Sequence, residues 1–176
     1  MMVRENEIRE NEVSVTPPEP TDAGLTFIGR ISTPWTSRME TPRQGRQDGP
    51  LCRIEIYEPW VAALKGVEVF ERLEILYWLH QSRRDLVLQS PASNGKIHGT
   101  FALRSPVRPN PIGTSIVALE GVEGNVLLVR GLDCLDGTPL IDLKPDRTLF
   151  KPIAPPQPGD FQMGDEAPTA PHCQKA

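Results

Sequence analysis

Apolar side chains recur at every second position from Leu25 to Ser32 and again from Leu51 to Tyr57, many of them β-branched or aromatic. That is the period of a strand with one buried face. Leu73–Leu79 is a denser apolar run of strand length, and Ile97–Leu103, Ile112–Leu119 and Val126–Leu132 extend the set. Gly121-Val-Glu-Gly-Asn125 reads as the turn of a hairpin between the last two. One short helix fits Pro59–Gly66, with proline at its start and glycine at its end. Six or seven short strands and one small helix predict a mainly-β barrel or sandwich. A Rossmann sheet would need alternating helices of roughly 10–15 residues, and the pattern has none.

Composition sets the limits of that domain. The chain has 176 residues, 38% hydrophobic and 24% charged, enough apolar material for one core. No stretch approaches the roughly 20 apolar residues that cross a bilayer. The start of the chain is acidic with no apolar run, so no secretory signal is read there, and a soluble, cytoplasmic protein is expected. Residues 1–23 hold six acids against Arg4 and Arg9 and end in Thr16-Pro-Pro-Glu-Pro20, a composition that reads as a disordered acidic tail. Proline, 19 residues in all, gathers again after Phe150, so the folded unit is expected over 24–161 with a flexible tail over 162–176. The whole chain carries −4; residues 1–23 account for −4 and residues 152–176 for −2, which leaves +2 on residues 24–151. A nearly neutral core permits an anionic partner without announcing one. Three cysteines and three histidines, all widely separated, form neither a disulfide framework nor a metal signature.

The densest unusual segment is Phe101-Ala-Leu-Arg-Ser-Pro-Val-Arg-Pro-Asn-Pro-Ile-Gly113. Its prolines fix φ and exclude helix, so Arg104 and Arg108 stand on a stiff, extended frame with Asn110 between two prolines. Guanidiniums on such a frame suit a planar anion or a stacked base; a plain Pro-rich connection with arginines reaching solvent gives the same composition. Leu135-Asp-Gly-Thr138 offers turn backbone and a carboxylate to a small ligand, although Asp-Gly is also ordinary turn chemistry. Pro42-Arg43-Gln44 lies in a polar loop over 33–50, longer than a packed connection needs. His80-Gln81 follows the apolar run 73–79 and should emerge at a strand end. No GxGxxG, P-loop or nucleophile elbow occurs.

Together these segments resemble the TsaA-like family of tRNA methyltransferases. The resemblance rests on Arg104-Ser-Pro-Val-Arg-Pro-Asn-Pro-Ile-Gly113, Leu135-Asp-Gly-Thr-Pro139 and Asp142-Leu-Lys-Pro145, with Ile28-Gly-Arg-Ile-Ser-Thr-Pro34, Pro42-Arg-Gln44 and His80-Gln81 in the same order. It covers about 27–150. It implies a β-barrel enzyme that uses S-adenosylmethionine, works as a homodimer and methylates N6 of threonylcarbamoyladenosine next to the anticodon of tRNA. By the same resemblance the cofactor site draws on Pro42, Arg43, Gln44, His80, Gln81, Arg104, Thr114, Leu135, Asp136, Gly137 and Thr138. Arg108, Asn110 and Lys144 are expected on the RNA side or at the subunit contact. His80 and Asp136 are the candidates for a general base, and no metal is expected. Where members often have Lys-Pro-Tyr, this chain has Lys144-Pro-Asp146. Two other readings stand beside this one: the same pocket serving another acceptor, or a non-catalytic module that senses S-adenosylmethionine and binds RNA.

Overall fold

The computed structural model describes residues 8–19, 24–91 and 96–146. Nine strands run along them: β1 (Val13–Ser14), β2 (Gly29–Ser32), β3 (Cys52–Ile56), β4 (Arg72–Trp78), β5 (Leu86–Gln89), β6 (His98–Gly99), β7 (Ile112–Glu123), β8 (Val126–Arg130) and β9 (Thr138–Pro145). Six of them close a barrel in the order β2-β3-β8-β7-β4-β9, every pairing antiparallel. The other three form a small sheet in the order β1-β5-β6.

Alternation fills the barrel. In β3 and β4 every second side chain is buried, so Ile54, Ile56, Leu73 and Ile75 meet Ile31, Val117, Leu127, Val129 and Leu140 from the other staves. Closure gives each barrel strand two neighbours and leaves no open edge there. Cys52 and Cys134 are part of this core, and burial pushes both thiols up, Cys134 to about 12.

Several boundaries differ from the sequence reading. The helix expected over Pro59–Gly66 is instead two short 3-10 turns, Trp60–Leu64 and Val67–Val69, separated by a non-helical Lys65 and by Gly66 in a left-handed conformation. The strand expected over Ile97–Leu103 pairs only at His98–Gly99 and then tightens into a third 3-10 turn, Thr100–Ala102. The Thr100 hydroxyl donates to the Leu86 carbonyl at 2.6 Å, and this side-chain bond takes the chain out of the ladder. β7 continues past Gly121 because a bulge between Leu119 and Gly121 shifts its register against β8; the turn itself is only Gly124-Asn125. Within the segment expected to lack order, β1 pairs with β5, Arg9 donates to the Ser90 carbonyl at 2.8 Å and Glu12 accepts from Ser90 N–H at 3.0 Å. Polar and backbone bonds, rather than apolar burial, hold it. The domain limit at 161 and the tail over 162–176 lie outside the described residues.

Candidate active site

Strand direction gathers the candidate residues. With all pairings antiparallel, β2, β4 and β8 finish at the same end of the barrel at which β3, β7 and β9 begin. The segments 33–51, 79–111 and 131–137 therefore all open at that end. They contain Pro42, Arg43, Gln44, His80, Gln81, Arg104, Arg108, Asn110, Leu135, Asp136 and Gly137, with Thr138 at the first position of β9.

Two of these loops, 33–51 and 131–137, are tied to one another. Thr33 N–H donates to Asp136 Oδ1 at 3.1 Å, and its hydroxyl donates to the Cys134 carbonyl at 2.9 Å. Asp136 N–H donates to Trp35 O at 2.8 Å and Gly137 N–H to Ile31 O at 2.9 Å. Further along, the backbones of Gly45 and Gly131 touch: a Cβ on Gly45 would lie 1.7 Å from the Gly131 carbonyl oxygen. No other residue fits there, so the loop that carries Pro42-Arg43-Gln44 is held directly against the start of the 131–137 loop. Arg130 adds a 2.6 Å bond to the Gly49 carbonyl. Glu40 closes a turn by accepting from the backbones of Ser37 and Thr36, bonds that, with the Ser37 side chain first, hold its carboxyl below the usual range.

Individual side chains then divide. Arg43 and Arg104 are exposed, and among the described residues nothing pairs with either guanidinium. Asp136 is exposed with Oδ1 oriented by Thr33, and Thr138 is buried with its hydroxyl on the Leu135 carbonyl at 2.7 Å. His80 Nε2 lies 3.4 Å from Gln81 Nε2, both exposed just beyond β4. Thr114 points outward from β7 and donates to Glu74 Oε1 at 3.2 Å. Arg108, expected to reach a partner, folds back to donate to the Leu103 carbonyl at 2.7 Å and to lie over the Phe101 ring. Lys144 does not join the cluster. It is six residues along β9 from Thr138, about 20 Å at the rise of a strand, is paired in register with Glu74, and forms an ion pair with Asp142. Asp146, where family members often carry tyrosine, has its side chain only 2% exposed and bonds Arg72 at 2.8 Å.

A buried polar group at this end has no counterpart in the sequence reading. Tyr77, Ser115 and Asp133 meet above the core: Tyr77 O–H donates to Asp133 Oδ1 at 2.5 Å, Ser115 O–H donates to the same oxygen at 2.9 Å, and the two hydroxyls are 2.9 Å apart. Burial first, then the adjacent carboxylate, push the Tyr77 phenol far above its ordinary range. The ring lies flat on β7 because its partner in register is Gly113. The one available signal was an acid inside the otherwise apolar run Gly131–Leu135.

The fold is a closed antiparallel barrel that presents polar and cationic groups on the loops at one end. By family, the chain belongs to the tRNA-methyltransferase O N-terminal domain family, whose model matches residues 30–149. It is 68% identical over 148 residues to "Probable S-adenosyl-L-methionine-binding protein VirR" of Rhizobium radiobacter, covering 84% of this chain and 85% of that one. It is 35% identical over 126 residues to the tRNA (adenine(37)-N6)-methyltransferase of Mus musculus, 67% of this chain and 29% of that one. A crystal structure of TrmO from Pseudomonas aeruginosa superposes with a TM-score of 0.60 at 32% identity, over 79% of this chain and 62% of that one. This chain thus spans most of VirR but less than two thirds of TrmO and under a third of the mouse protein. Among the described residues no helix is long and apolar enough to cross a membrane.

Proposed function

We propose that this protein is an S-adenosylmethionine-dependent methyltransferase that methylates N6 of threonylcarbamoyladenosine beside the anticodon of tRNA. The observation behind the reading is the convergence of Pro42–Gln44, His80-Gln81, Arg104 and Leu135–Thr138, distant in sequence, on one barrel end in a chain of this family. The donor set fits the cofactor. Arg43 and Arg104 offer unengaged guanidinium forks to a carboxylate. Backbone groups of Leu135–Thr138 suit an adenine edge or ribose, and Asp136 suits hydroxyls or an ammonium. When bound, S-adenosylmethionine supplies an electrophilic methyl group on a sulfonium.

The chain's own part is mainly orientation. The bonded 33–51 and 131–137 loops fix the backbone of Leu135–Thr138 and the Asp136 carboxylate, and orientation of this kind is how a displacement gains from proximity. N6 of the acceptor, between an aromatic ring and a carbonyl, is a poor nucleophile until its proton is removed. His80 and Asp136, both exposed at the loop end, are the groups suited to take that proton. A homodimer joins two modestly basic ends into a larger surface for RNA, and the cytoplasm, where tRNA is processed, is the expected compartment. The domain of 24–161 carries the activity, with β1 (Val13–Ser14) paired onto it through β5.

The test uses purified protein, methyl-labelled S-adenosylmethionine and two tRNA pools, one bearing the threonylcarbamoyl group and one from cells lacking it. Label is expected only in the modified pool. Cofactor binding without transfer to either pool would overturn the assignment of acceptor.

A further inference from the structure

Two aromatic–guanidinium pairs are joined through the Arg104–Gly113 segment. Arg84 lies over the Trp78 ring, 5.5 Å from its centroid, and its Nε donates to the Pro109 carbonyl at 2.6 Å. The neighbouring Arg108 donates to the Leu103 carbonyl and lies over the Phe101 ring, 5.8 Å from its centroid. Trp78, Arg84, Pro109, Arg108 and Phe101 are thereby connected at the loop end. Phe101 is the anomaly, being 81% exposed, the most exposed large apolar side chain of the described residues.

The loop beneath this surface is rigidly supported. Gln89, buried in β5, donates through Nε2 to the Thr100 hydroxyl at 2.7 Å and to the Val107 carbonyl at 2.9 Å. Those bonds fix both ends of the stretch that carries Phe101. An aromatic ring capped on one side by a cation and open on the other is a stacking platform. Among the described residues each guanidinium spends one hydrogen bond on the protein, which leaves further N–H donors for a ligand.

We infer that Phe101 stacks an unpaired nucleobase of the RNA, with phosphates next to that base received by Arg84 and Arg108. A single-stranded loop is the form of RNA that suits this surface, since paired bases do not offer a free face. The inference rests on the tRNA reading above and adds where the anticodon loop is gripped.

The experiment measures the affinity of the full chain for a fluorescent anticodon stem-loop, alongside cofactor binding by calorimetry and mass by light scattering. Phe101→Ala is expected to weaken stem-loop binding by about 5- to 140-fold, the loss of one base–aromatic stack. Phe101→Trp retains it, and both variants bind S-adenosylmethionine as the wild type does. A Phe101→Ala chain with unchanged stem-loop affinity overturns the platform. So does one that changes only from dimer to monomer, which would assign Phe101 to a second copy. If the wild-type chain binds the cofactor yet neither binds nor methylates any tRNA, the tRNA reading itself fails.

Discussion

Gly113 closes the Arg-Ser-Pro…Ile-Gly motif, and replacing it with alanine tests why the motif ends there. Strand propensity and chain entropy alone favour alanine by about 0.5–1 kcal/mol. The structure reverses that sign. A Cβ on Gly113 would lie 2.2 Å from Cε2 of Tyr77, 2.7 Å from Cζ and 2.8 Å from Cδ2. The ring cannot swing aside freely, because its hydroxyl is bonded to Asp133 and Ser115. Overpacking a core costs about 1–3 kcal/mol, and losing a hydrogen bond to a charged group about 1.5–3 kcal/mol. Gly113→Ala is therefore expected to destabilise by about 2–5 kcal/mol, read by urea unfolding followed by circular dichroism. Tyr77→Leu removes the ring, so in that background the alanine should cost far less, a coupling of about 1–3 kcal/mol. Additivity of the two substitutions within about 0.5 kcal/mol would refute the argument.

Two further outcomes follow from the same geometry. Arg104→Ala should weaken S-adenosylmethionine binding in calorimetry while leaving the unfolding transition in place, since its exposed side chain supports nothing among the described residues; unchanged binding removes Arg104 from the site. Cys134 keeps its proton in the native state to about pH 12 but only to about 9 when unfolded. Below pH 9 both states are protonated and the group adds no pH dependence. Above it the unfolded thiol ionises and the native one does not, so stability falls as pH rises from 9 towards 12. Cys134→Ala should flatten that part of the curve, and an identical slope in the variant would contradict the assignment.

Period-two alternation marked β2 and β3, because a strand with one buried face writes its two sides into consecutive residues, as at Ile54 and Ile56. Apolar runs marked β4, β7 and β8, whereas β9, rich in polar residues and proline, was not among the expected strands. Local chemistry also marked the stiff Arg104–Gly113 loop and the Asp136-Gly137 turn. The family resemblance supplied the list of site residues; composition alone left a plain connection equally open. Alternation could not find β5, whose inward Gln89 breaks an apolar pattern in order to bond Thr100 and Val107. Nor could it show that Thr100 leaves its ladder through a side-chain bond.

Only the tertiary structure decided which motifs share a place. Antiparallel closure sends Leu135–Thr138 and His80-Gln81 to one end and carries Lys144, a few residues along the same strand, away from it. It likewise brought Tyr77, Ser115 and Asp133 together across two strands and a loop. Those are long-range pairings set by strand order and register, and neither is a property of any short stretch of sequence.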